Sequence, residues 1–102
     1  MAYLGEGIDA NLALVSGDDA ALFLELRSAF IESAAQQLDL MRRSRCDGNW
    51  QIAAMRLKGL AASFHAEQLI VLAEEALEAA PGEPGVLRRI ERFITDLSSD
   101  RD

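Results

Sequence analysis

Trp50-Gln51-Ile52-Ala53-Ala54-Met55-Arg56-Leu57-Lys58-Gly59-Leu60-Ala61-Ala62-Ser63-Phe64 is the stretch that decides how this chain folds. Trp50, Ala53, Ala54, Leu57, Ala61 and Phe64 recur at steps of three and four, so they share one face of a helix about 15 residues long. Half of that face is alanine, small enough for a neighbouring helix to come close. A strand would need alternation and β-branched residues, and the segment has a single one, Ile52.

The same period continues on both sides. Upstream, Asp47-Gly48-Asn49 interrupts the pattern, and Asn49 is expected to cap the helix that follows. Before it, Phe23, Leu26, Phe30, Ala34, Leu38 and Met41 mark a long helix ending near Arg43–Cys46. Its expected N-cap is Asp18, with Asp19 in the first turn, and its last turn is arginine-rich, as the helix dipole favours. Ile8–Val15 predicts a short first helix closed by Ser16-Gly17. Downstream, Ser63-Phe64-His65 predicts a turn. Ala66–Ala80 predicts a helix with Leu69, Leu72, Ala73, Ala76 and Leu77 inward and Glu67, Glu74, Glu75 and Glu78 outward. Pro81-Gly82-Glu83-Pro84-Gly85 predicts a loop, and Val86–Leu97 a last helix with Leu87, Ile90, Phe93, Ile94 and Leu97 inward. The expected fold class is all-α: an antiparallel four-helix bundle with a short extra N-terminal helix across one end. It is expected to form one domain over residues 1–102 with its core at about 8–97.

Composition removes several functions. Among 102 residues there are 10 Lys+Arg against 17 Asp+Glu, a net charge of -7, which disfavours a nucleic-acid backbone as main partner. The longest apolar runs, Ala20–Leu24 and Leu69–Ala73, have five residues each, too short for a membrane span. The N-terminus lacks the basic and apolar regions of a secretory signal, so the expected compartment is the cytoplasm. One cysteine, Cys46, excludes an internal disulfide and a cysteine-based metal site, and with His65 the only histidine no structural zinc is expected; no metal and no cofactor are expected. Glu74, Glu75 and Glu78 read as a solvated face, and Cys46, with no base or resolving thiol beside it, as an incidental thiol. Charge is nonetheless uneven. Met41–Leu60 holds five basic residues, Arg42, Arg43, Arg45, Arg56 and Lys58, against one acid, Asp47, while the rest of the chain holds 5 basic and 16 acidic residues. Such a segment suits a contact patch for an acidic partner surface.

Ala53–Phe64 resembles the signature helix of histidine-containing phosphotransfer domains, which runs roughly Ala-His-x-Leu-Lys-Gly-x-Ala-x-x-Phe-Gly. A short first helix ending in Gly-Asp, a Trp opening the third helix and a Leu- and Glu-rich fourth helix extend the resemblance from about Ile8 to Leu97. It implies that Lys58 and Gly59 match the Lys and Gly beside the phosphorylated histidine. Two positions depart from the family: Met55 stands where that histidine belongs, and His65 stands where glycine is usual.

The family's chemistry needs an imidazole nitrogen exposed in mid-helix to take a phosphoryl group from a receiver aspartate. A thioether is weakly nucleophilic toward phosphorus and forms no stable phosphoryl adduct. Phosphotransfer activity is therefore not expected, and no catalytic residue is expected. Met55 is expected to be exposed at the centre of a contact face. Lys58, Gly59 and Ala62 share that face at i+3, i+4 and i+7. With Arg56 they make the expected partner-binding set, and Arg42, Arg43 and Arg45 add peripheral charge. His65 is expected to cap the helix C-terminus, with positive φ.

The function implied is a degenerate phosphotransfer module of a bacterial two-component phosphorelay. Its expected partner is a response-regulator receiver domain or a histidine kinase, with no nucleic acid and no membrane, as a monomer or weak dimer. The alternatives are an active phosphocarrier, using His65 or derived from a parent with histidine at 55, and a structural helical bundle that dimerises through the Met55 face.

Overall fold

The computed structural model describes residues 6–99. Within them the chain forms five helices and no strand: α1 (Glu6–Ser16), α2 (Ala20–Arg43), α3 (Asp47–Ser63), α4 (Glu67–Glu78) and α5 (Pro84–Ser99). No helix among the described residues is long and apolar enough to cross a membrane. α2 packs on α3 and α5, α3 on α4, and α4 on α5, so four helices close around one core, while α1 lies against α2. Neighbouring helices run antiparallel. Trp50 near the start of α3 bonds Ala76 near the end of α4. Arg27 early in α2 reaches Leu97 late in α5, and Arg42 at the end of α2 reaches Glu91 further back.

The core is most of the periodic set the sequence marks, with Phe23, Leu26, Phe64, Leu72, Leu77 and Leu87 only partly buried against it and Arg27 and Val86 buried in addition. Phe30, Ala34, Leu38 and Met41 of α2 meet Trp50, Ala53, Ala54, Leu57 and Ala61 of α3, and Leu69, Ala73 and Ala76 of α4 meet Ile90, Phe93, Ile94 and Leu97 of α5. The Phe30 and Phe64 rings lie 4.9 Å apart, within the range of favourable tilted aromatic contacts.

α1 closes the end of the bundle where α2 begins, α3 turns into α4 and α5 finishes. Ile8 and Leu12 are buried there. A Cβ on Gly7 would come 3.1 Å from the His65 carbonyl oxygen, which places α1 directly over the α3–α4 turn. Arg27 ties this end together from within the otherwise apolar buried stripe of α2. It is buried, its Nε donates to Asp9 Oδ1 at 3.0 Å, and its Nη2 donates to the Leu97 carbonyl at 3.0 Å. A buried guanidinium is tolerated because it is paired and hydrogen-bonded on two other helices.

Helix ends differ from the sequence expectation at several points. α1 extends one or two residues beyond Ile8–Val15 at each end, and α4 is shorter than Ala66–Ala80. The N-cap of α2 is Asp19 rather than Asp18. Gly17 at φ 59 turns the chain, and the extended backbone of Asp19 lets its Oδ1 accept from the Leu22 N–H at 3.0 Å. Asn49 does not cap α3, because the helix already starts at Asp47. Cys46 holds the capping position without a side-chain bond, and Asp47 complements the dipole in the first turn. Pro84 and Gly85 are not loop but the first turn of α5, since proline suits a first helical position that needs no N–H donor.

Glu83 makes that start possible. Its carboxylate accepts from the Val86 N–H at 2.7 Å and the Gly85 N–H at 3.0 Å. These two bonds hold its pKa below the ordinary glutamate value. A carboxyl with a depressed folded pKa stabilises the fold fully above its unfolded pKa and loses that contribution as pH falls through the folded one. Glu83→Gln should therefore melt at a lower temperature than wild type at neutral pH, with the gap closing in acid. Thermal scans of both proteins across pH check this, and a gap independent of pH contradicts it.

Candidate functional site

α3 has one rotational setting. Trp50, Ala53, Ala54, Leu57 and Ala61 are at most 2% exposed. The Trp50 indole Nε1 donates to the Ala76 carbonyl at 2.7 Å, and Gln51 Nε2 donates to the Leu77 carbonyl at 3.2 Å, fixing α3 along α4. The opposite side must then face out. Ile52, Met55, Gly59 and Ala62, spaced by three and four, form an exposed stripe down its centre. Met55 is 59% exposed and Ile52 51%, so methionine at 55 is surface and no part of the core.

Gly59 lies inside a helix, where glycine costs up to about 1 kcal/mol relative to alanine. Nothing in the fold requires it: a Cβ built there meets no atom within 4 Å. With exposed Ala62 one turn on, it leaves a shallow strip along which another molecule can approach the α3 backbone.

The flanks of this strip differ. Toward α2, exposed Arg56 joins Leu40, Arg43, Ser44, Asn49, Ile52 and Ala53 around an open groove of about 310 Å³. Toward α4, Lys58 Nζ lies 3.2 Å from Glu74 Oε2. The basic segment is thus largely neutralised in three dimensions. Arg42 pairs with Glu91 of α5 at 2.9 Å, Arg43 with Asp39 at 2.9 Å, and Lys58 with Glu74, leaving Arg45 and Arg56 without an ion pair among the described residues. The five basic residues therefore do not form one patch of free charges. Arg42 turns toward α5, and the cation set free on the α3 face is Arg56. Glu75 is likewise engaged, with Arg89 at 2.6 Å.

His65 ends α3 with φ 57. Its N–H donates to the Ala62 carbonyl, and the next N–H, of Ala66, donates to the Ala61 carbonyl at 2.8 Å. This is the paired closure in which glycine usually takes the left-handed position, with Ala61 and Ala66 buried as its apolar contact. His65 is a helix-terminating residue, ten positions and about 15 Å along the axis from Met55. Cys46 is exposed, and no group of three or more His, Cys, Asp or Glu among the described residues is placed to hold a metal.

Ile52 and Leu40 were not assigned to the site from the sequence, and Glu74 was read there only as part of a solvated face. Ile52 was legible, standing three before Met55 and seven before Gly59. Leu40 and Glu74 were not, because they reach α3 from other helices.

Two substitutions test this geometry by urea unfolding. Gly59→Ala should stabilise the fold by about 0.5–1 kcal/mol, because it adds helix propensity in open space. His65→Gly should change stability by less than about 1 kcal/mol, since relief of the left-handed strain offsets the unfolded-state entropy of glycine. A marked loss in either contradicts the placement described. Comparison of the chain with protein-family models, curated proteins and solved structures finds no match.

Proposed function

We propose that this chain is a docking module of a bacterial two-component phosphorelay, built like a histidine-containing phosphotransfer domain but without a phosphoacceptor. It binds receiver domains or histidine kinases in the cytoplasm and sequesters them or competes for them. The observation that carries this function is the outward stripe of α3. The residues that resemble the family motif, Lys58 and Gly59 with Met55 three and four positions earlier, lie at the surface on the side the core leaves free. Gly59 gives up helix propensity without any packing reason, which suits a position kept low for a partner. Receiver pockets are rich in carboxylates, and Arg56 beside the groove offers the complementary charge.

Absence of phosphotransfer belongs to the same proposal. An imidazole nitrogen would form the new P–N bond as the P–O bond to the receiver aspartate breaks and its carboxylate leaves; the Met55 sulfur cannot take that part. His65 is the wrong residue to replace it, committed to terminating α3 at some 15 Å distance.

Restoration tests the whole set. Met55→His changes an exposed residue and should cost less than about 1 kcal/mol of stability. It should accept labelled phosphate from a phosphorylated cognate receiver, as an adduct labile in acid and stable in base. The unmodified chain should accept none. Acceptance by the unmodified chain, or a folded Met55→His that binds the phosphorylated receiver yet takes no phosphate, contradicts the proposal. Docking itself should respond to charge. Arg56→Glu should weaken receiver binding about tenfold, roughly 1.4 kcal/mol, with the loss shrinking at high salt. Arg88→Glu, an exposed change on α5, should not. Equal effects in a binding titration would place the contact elsewhere, and a dimer in light scattering that vanishes with Met55→Glu would favour the bundle as a self-associating one.

A further inference from the structure

Lys58 is the chain's only lysine; the other nine basic residues are arginine. It flanks the exposed stripe of α3, and its ion-pair partner comes from the next helix, Glu74 Oε2 of α4 at 3.2 Å. Both side chains are about half exposed, 42% and 51%, so the pair is solvent-screened and cheap to open. A strongly held ammonium on a docking face would simply be absent from it. A weakly held one can be exchanged from one carboxylate to another.

We propose that Glu74 is a built-in competitor for Lys58. It occupies the ammonium in the free protein and gives way when a docking partner supplies a carboxylate of its own. The face thereby discriminates among acidic partners. A partner whose carboxylates reach only the Arg56 side leaves the Lys58–Glu74 pair closed and meets the Glu74 charge. A partner with a carboxylate over Lys58 opens the pair and gains a contact. This rests on the docking function proposed above and assigns Glu74 as a specificity-determining residue for it.

The experiment uses the full chain and a receiver domain from the same phosphorelay. At low salt, Glu74→Gln should bind the receiver about two- to fivefold more tightly than wild type, the range an exposed ion pair commands. Independently of any receiver, acylation of Lys58 by an amine-reactive ester, read by peptide mass spectrometry, should be faster in Glu74→Gln than in wild type. It should be unchanged in Glu75→Gln, whose carboxylate serves Arg89. Failure of the wild-type chain to bind any receiver domain or histidine kinase overturns the docking function. Unchanged Lys58 labelling in Glu74→Gln, or unchanged receiver affinity where wild type binds, overturns the role of Glu74 alone.

Discussion

The rotational setting of α3 is the constraint on which the surface depends. Its inner face is built from alanines, Leu57 and Trp50, packed until almost nothing of them remains exposed. Turning the helix by one residue would drive Gln51, Lys58 or Arg56 toward the core and push Leu57 or Trp50 toward water. Each exchange would cost several kcal/mol in buried polar groups and lost apolar contact. The Trp50–Ala76 bond fixes sliding as the alanines fix rotation, because an indole N–H buried without an acceptor would be costly. What faces outward, Ile52, Met55, Gly59 and Ala62, follows from what faces inward.

The same packing redistributes charge. Five basic residues within twenty positions look like a patch along the chain, yet helices wound at 3.6 residues per turn send them in different directions. Arg42 goes to α5, Arg43 back along its own helix, Lys58 to α4, and Arg56 to the α2–α3 groove. The resulting face is an apolar, low-lying strip with one free cation on one flank and a masked one on the other. Arg27 shows the opposite case. It stands in the apolar stripe of α2, is buried, and is used to hold α1 and the end of α5 onto the bundle.

Helix existence and core membership were legible in the sequence because both follow from one local property, the three-to-four period of apolar residues. All five segments fold as helices, and Phe30, Leu57, Leu69 and Ile90 go where the period sends them. Helix ends were less legible. At Asp18 and Asp19, or at Asn49 and Asp47, adjacent residues compete for the same cap, and the winner depends on backbone angles set by Gly17 or by the packing of the helix itself. Proline and glycine at 84 and 85 look like loop, yet a carboxylate one residue earlier recruits them into a helix. Pairings between helices, such as Lys58 with Glu74, were not legible at all, since they require the rotation and spacing of two helices to be known together. His65 was legible because it stands at the expected helix end, at the position where the resembled motif carries glycine.

Whether the outward stripe of α3 receives the proposed partner can be tested by a nuclear magnetic resonance footprint, without altering a residue. Amide and methyl signals of the isotope-labelled chain would be followed while an unlabelled receiver domain is added. Shifts should cluster on Ile52, Met55, Arg56, Gly59 and Ala62, extending to Leu40 across the groove, with α1 and the outer side of α5 unaffected. Shifts centred on the exposed Leu14 and Val15 of α1, or spread over α5, would contradict docking on that stripe.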